Sequence, residues 1–232
     1  MSNPLNEHVK PVRSFVRRTG RITKSQALSF QDHWSTYGLH SEPSFNIDNA
    51  FTQKAPLVIE VGFGMGDSLI TMAKDRPWEN FIGIEVHTPG VGRLLQQAAL
   101  HQLTNIKVFQ DDAVDILNTC IKDHSVHRLQ IYFPDPWPKK KHHKRRLIQA
   151  PFVEVITQKL QTNGLLHLAT DWEPYAHHML DVLQATSNLI NTSKSADEPF
   201  IPRPEFRPIT KFEKRGERFQ HPIFDILFQK CP

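Results

Sequence analysis

The sequence predicts an α/β fold, a mostly parallel sheet with helices on both faces, and three observations carry that prediction. Strand-like runs alternate with helix-like runs five times from Pro56 onward. The strand runs are short and apolar, as in PLVIEVGFG and HRLQIYF, which suits strands buried on both faces. The first of them ends in glycines, the turn with which such sheets open a ligand site.

Each element has its own signal. Residues 1 to about 50 hold Pro, Gly and Ser among basic residues and read as a basic arm, with one short helix near Ser25 to His33. A single domain is expected over residues 51–232. PLVIEVGFG is its first strand, and GDSLITMAKD has helical spacing. ENFIGIEVH is a second strand, and GRLLQQAALHQL is a helix rich in strong helix formers. NIKVFQDD, AVDILNTCI and HRLQIYF follow as strand, helix and strand. APFVEVITQKLQTNG reads as a helix closed by Gly164, LLHLAT as a strand, and DWEPYAHHMLDVLQATSNLI as a helix. After a Pro-containing connection, HPIFDILFQK ends the chain as an edge strand.

Composition narrows the function. At 232 residues, with 39% hydrophobic content, the chain can bury an ordinary core. No apolar run nears the roughly 20 residues of a membrane span, and the basic N-terminus lacks the apolar stretch of a secretory signal. Cys120 and Cys231 form no metal spacing, and a reduced, cytoplasmic setting is expected. The net charge of +4 is local in origin. Residues 139–146 hold six Lys/Arg and no acid, and without them the remaining 22 basic residues face 24 acids. Lys10 to Lys24 is a second acid-free stretch with six Lys/Arg. Two such stretches point to a polyanionic partner such as nucleic acid, against a solvated arm and loop.

The turn after the first strand, with Gly62, Gly64 and Gly66, has GxGxG spacing rather than the GxGxxG of dinucleotide folds. Glu85, nineteen residues beyond Gly66, ends the second strand, where an acid accepts from ribose hydroxyls. Asp111 and Asp112 end the third strand, where one can accept from an adenine amine, or Asp112 can cap the next helix. Glu60, just before the glycines, can face an ammonium group. No GK[ST] phosphate loop is present, and the acids would repel phosphate. Adenosine with a cationic end matches S-adenosylmethionine.

With EVGFGMGD, FIGIEVH, FPDPWPKKKHHKRR, LATDWEPYA and RPITKFEKRG in order, the chain resembles the bacterial tRNA (guanine-N7)-methyltransferases from about residue 57 to its end. RRTGRITKSQ in the arm is similar as well. The FPDPW stretch with its basic run and the downstream TKFE are specific to that family, whereas the glycine turn is common to methyltransferases. The resemblance implies a Rossmann-like methyltransferase fold, a seven-stranded sheet with an antiparallel C-terminal edge strand. It implies S-adenosylmethionine as cofactor and a variable-loop guanosine of tRNA as substrate. The family's cofactor acids correspond to Glu60, Glu85, Asp112 and Asp135, and Asp135 is also its catalytic residue. Its tRNA-contacting positions correspond to Lys139, Asp171 and Thr210-Lys211-Phe212-Glu213, and its RNA-interaction segment to Lys141, His142, His143, Lys144, Arg145 and Arg146. Pro138 departs from the family, which often carries a polar residue there. No obligate protein partner is expected, and monomer and homodimer both fit.

Guanine N7 has an in-plane lone pair and no proton to lose, so Asp135 is expected to orient the base and stabilise its developing charge rather than act as a base. Pro134, Pro136 and Pro138 are expected to hold the residues before them extended. Trp137 stacks on the base or faces the core. Asp171 can simply cap a helix, and Thr210 to Glu213 can be a plain turn. Adjacent pairs such as His142/His143 and His177/His178 do not make a metal site, and none is expected. Two other functions fit the same residues: methylation of an exocyclic amine, suggested by FPDPW, and a noncatalytic RNA-binding module.

Overall fold

A computed structural model describes residues 21–42, 45–195, 197–210, 213 and 222–232. The stretch from Lys10 to Gly20, and Lys211 and Phe212 of the TKFE run, lie outside the described residues.

The strands are β1 (Gly38–Leu39), β2 (Leu57–Val61), β3 (Asn80–Ile84), β4 (Ile106–Phe109), β5 (Val126–Tyr132), β6 (Leu160–Thr170), β7 (Leu189–Asn191) and β8 (Phe224–Lys230). They form one eight-stranded sheet in the order β1-β4-β3-β2-β5-β6-β8-β7. All pairings are parallel except those of β8 with β6 and β7. Chain order reverses between β2 and β5, which opens the ligand crevice of such sheets at their carboxyl ends. The fold class is the expected one, with eight strands in place of seven. β8 lies second from the edge, because the short β7 pairs outside it.

Among the described residues six α-helices cover the sheet: α1 (Lys24–Tyr37), α2 (Asp67–Asp75), α3 (Thr88–Leu100), α4 (Ala113–Cys120), α5 (Ala150–Lys159) and α6 (Glu173–Gln184). Alternation along the strands decides which helices go where. Val58, Phe81 and Val108 pack with α1, α2 and α3, while Ile59, Leu129 and Leu166 pack with α4, α5 and α6. The short helix expected at Ser25 to His33 is α1, longer than expected and closed at its start by a Thr23–Gln26 capping box. It docks on α3 through Gln26, whose amide donates to Pro89 O at 3.0 Å.

Gly164 does not close α5. That helix ends at Lys159, and β6 starts at once with an irregularity where Val126 pairs with Leu160 but Arg128 with Leu165. Gly164 sits in that irregularity, where a Cβ would lie 2.9 Å from Val126 O. α6 likewise stops at Gln184, short of the expected Ile190, and the chain turns through Asn188 (φ 66°) into β7.

Candidate active site

The crevice has two lobes that share Gly62, Tyr132 and Phe133. One, of about 250 Å³, is bordered by Glu85, Asp111, Asp112 and Asp135. The other, of about 350 Å³, is bordered by Glu60, the glycine turn and Thr210. The four strand-end acids and Asp135 therefore surround one cleft. Its turn needs glycine for the backbone: Gly62 and Gly64 have φ of 73° and 59°, and a Cβ on either would meet nothing within 4 Å. That open space is what a ligand approaching the backbone requires. On the other side Gly90 of α3 abuts the turn so closely that a Cβ would lie 1.9 Å from Gly64 O.

Glu85 is held by three backbone N–H groups, from Gly64 at 2.8 Å, Val86 at 2.7 Å and His87 at 3.0 Å. Its carboxylate faces the cleft with acceptor capacity left for one more donor. Asp112 caps α4, accepting from Val114 N at 2.9 Å through Oδ1. The cap and the cleft position are both real, since the residue also borders the first lobe.

Glu60 is buried on the α2 side of β2, where Ser68 and Gln130 each donate to it at 2.9 Å. Burial raises its pKa from 4.5 to about 7, the two hydrogen bonds oppose that rise, and Glu85 adds to it. A buried carboxylate with no ion pair among the described residues, beside an open lobe, is a ready site for an ammonium group. Glycine turn, strand-end acids and a cation-seeking Glu60 together fit S-adenosylmethionine.

Asp135 is exposed at the rim of the first lobe and makes no hydrogen bond or ion pair among the described residues. Its acceptors are thus available to a substrate. Pro134 and Pro138 do not hold their predecessors extended: Phe133 and Trp137 have φ of 52° and 45°. Such left-handed non-glycine residues cost on the order of 1 kcal/mol each and persist only where the surroundings fix them. Phe133 is fixed by its N–H to Ala169 O at 2.8 Å. Trp137 neither enters the core nor stands free; its ring stacks on His142 at 5.8 Å and lies 5.2 Å from the Arg145 guanidinium.

The basic run forms a 3₁₀ helix, Lys140–Arg145. Lys139, Lys140, Lys141 and Lys144 are exposed, and Arg145 is half-buried. Partial desolvation and the charges of Lys141 and Arg145 lower the pKa of His142. Arg146 turns inward instead of toward solvent, donating to Pro136 O at 3.0 Å and lying 4.8 Å from the Tyr175 ring. It braces the FPDPW loop. His178 Nε2 donates to Ile148 O at 2.9 Å, and no group of three or more His, Cys, Asp or Glu able to hold a metal occurs among the described residues.

Asp171 is not a cap. Trp172 occupies the N-cap position of α6, and the Asp171 carboxylate has no hydrogen bond among the described residues. Glu213 is buried and accepts two bonds from Arg207, at 2.6 and 2.8 Å, and one from Thr210 N at 2.8 Å. Sequence reasoning missed Arg207, its other partner Asp225, and His167, which bonds to Asp225 in turn. The available signal was alternation: Arg128, Gln130 and Tyr132 place polar groups on one face of β5.

A family model described as "Putative methyltransferase" matches residues 54–226. The tRNA (guanine-N(7)-)-methyltransferase of Shewanella putrefaciens is 48% identical over 229 residues, covering 98% of this chain and 95% of the relative. That of Pseudoalteromonas atlantica is 47% identical over 224 residues, covering 96% and 93%. Among solved structures, an rRNA methylase from Streptococcus thermophilus has a TM-score of 0.52 at 12% identity, covering 77% of this chain and 88% of its own. A Streptococcus mutans protein in complex with SAH has a TM-score of 0.50 at 10% identity, covering 91% and 100%. Likeness at such identities speaks to the fold.

Proposed function

The chain belongs to the tRNA (guanine-N(7)-)-methyltransferase family and uses S-adenosylmethionine to methylate guanine N7 in tRNA, and from that premise we propose how its cleft performs the reaction. The observation that carries the proposal is Asp135, exposed and unpaired among the described residues, on a braced loop at the rim of the lobe that Glu85 and Asp112 border.

Glu85 takes one ribose hydroxyl at its remaining acceptor position and Asp112 the adenine amine, while Glu60 pairs with the ammonium group beside the backbone of Gly62, Gly64 and Gly66. When bound, S-adenosylmethionine supplies an electrophilic methyl group on sulfonium. Guanine N7 needs no proton removed, so the chain's task is orientation at near-attack distance. Asp135 accepts from guanine N1–H and the exocyclic amine and stabilises the positive charge that develops on the ring. Strain at Phe133 and Trp137, held by Ala169 O and by Arg146 on Pro136 O, leaves that carboxylate few alternative positions.

Lys139, Lys141, Lys144 and Arg145, with His142 and His143, hold backbone phosphates, which position the RNA without reading its sequence. Asp171 and the run of Thr210, Lys211, Phe212 and Glu213 contact the tRNA around the reacting base. The substrate guanosine lies in the variable loop, and the basic stretch Lys10 to Lys24 assists residues 51–232 in meeting the RNA, while α1 packs on the sheet and β1 joins it. No helix among the described residues is long and apolar enough to cross a membrane. The chain acts in the cytoplasm, as a monomer or homodimer, without an obligate protein partner. Labelled S-adenosylmethionine and unmodified tRNA test this reading. Label mapped to 7-methylguanosine in the variable loop supports it; label at another loop overturns the position.

A further inference from the structure

One face of β5, β6 and β8 carries polar side chains at positions where a sheet normally packs apolar ones. Gln130, Tyr132, His167 and Asp225 alternate with the core-facing Leu129, Ile131, Leu168 and Ile226. The irregular segment around Phe206 and Arg207 lies over this face. The Phe206 ring lies 4.3 Å from the Arg128 guanidinium and 5.3 Å from the His167 ring.

Arg207 is fully buried and bridges two carboxylates. It donates to both oxygens of Asp225 at 2.7 Å and to both oxygens of Glu213 at 2.6 and 2.8 Å. Asp225 Oδ1 also meets His167 Nε2 at 2.7 Å, and His167 Nδ1 meets the Tyr132 hydroxyl at 3.0 Å. Only one direction of donation satisfies every group. An ionised carboxylate can only accept, so His167 Nε2 donates to Asp225; burial lowers the imidazole pKa and keeps it neutral, so Tyr132 donates to Nδ1. The chain of bonds thus runs without a gap from Glu213 and Thr210, at one side of the cleft, to Tyr132, which borders both lobes.

We propose that Arg207, Asp225 and His167 are positioning residues for methyl transfer, locking Thr210, Glu213 and the ring of Tyr132 in one register across the cleft. The inference rests on the reading of Thr210 and Glu213 as tRNA contacts. Stability alone does not account for the network. Apolar side chains of similar volume would hold the segment as firmly as a buried ion pair, whose desolvation offsets much of its attraction. What a fully bonded polar network adds is a single geometry. Here that geometry joins Thr210 and Glu213 on the substrate side to a cofactor-side ring.

The test uses the full chain with His167→Leu, which breaks the network in its middle, and His167→Gln, whose amide can donate to Asp225 and accept from Tyr132. Thermal midpoint, S-adenosylmethionine affinity, tRNA affinity and single-turnover rate at saturation are measured for each. His167→Leu is expected to bind both ligands within a few-fold of wild type but to transfer methyl about tenfold or more slowly, as misplacement at a reacting centre does. His167→Gln should recover most of that rate. A wild-type rate in folded His167→Leu overturns the proposal. If that variant does not fold, Tyr132→Phe replaces it, removing one hydroxyl; it should lose rate several-fold, and an unchanged rate overturns the proposal equally. Thr210→Ala, run alongside, separates the two claims. If it is impaired while the network variants are not, positioning falls and the RNA contact stands. If it is unaffected, Thr210 is no RNA contact and the coupling falls with it.

Discussion

Acidification is expected to weaken S-adenosylmethionine binding by a route that passes through Glu60. Its pKa of about 7, against 4.5 outside the fold, corresponds to about 3 kcal/mol favouring the protonated form in the ligand-free cleft. The sign follows from the direction of the shift. A raised pKa means that Glu60 contributes its full stability below about 4.5 and loses it as pH rises through about 7. An ammonium group favours the opposite, ionised form, so binding must release a proton wherever Glu60 is protonated. With a pKa of about 7, Glu60 is about one-tenth ionised at about pH 6 and about nine-tenths ionised at about pH 8, so affinity should drop about tenfold over that range. Calorimetry at about pH 6.5 in two buffers of different ionisation enthalpy should show about three-quarters of a proton released per cofactor bound. Glu60→Gln should abolish both the release and the slope with pH, and should stabilise the ligand-free chain near pH 8. A pH-independent affinity with no proton release would refute the pairing of Glu60 with the ammonium group.

Other perturbations act on other parts of the cleft. Replacing Lys139, Lys141 and Lys144 by Ala should flatten the salt dependence of tRNA binding by about one log–log slope unit per lost phosphate contact, with cofactor affinity intact; an unchanged slope removes the run from the interface. Arg146→Ala should leave that slope alone and lower the thermal midpoint by several degrees, because Arg146 braces Pro136 O and Tyr175 inside the fold. Gly64→Ala places a methyl in the open cleft at φ 59°, at a cost of about 1 kcal/mol in stability. Calorimetry should also show its cofactor affinity down by tenfold or more.

What the sequence showed, and what it hid, divides along physical lines. The parallel sheet and the glycine turn were legible because buried strands and positive-φ turns restrict residue type strongly. Glu60, Glu85 and Asp112 were legible because a strand end fixes their place in the crevice. β1 was not, since two residues pairing with β4 leave no periodic trace. β7 was read as the tail of a helix because Ser187, Asn188 and Leu189 carry no strong breaker, and only the left-handed Asn188 ends it. Gly164 resembled a helix cap because a bulge also calls for a residue without Cβ. Arg146 looked like its basic neighbours, and nothing in a run of like residues says which one turns inward. His167, Arg207 and Asp225 come from three separate stretches, so their network exists only once β6 and β8 are paired.

Asp135→Ala tests the central claim most directly, by single-turnover methyl transfer with tRNA and S-adenosylmethionine both saturating. Orientation and charge stabilisation by this carboxylate predict a rate lower by about a hundredfold, with both ligands still bound. A rate near that of the unaltered chain, with both ligands bound, would contradict the account.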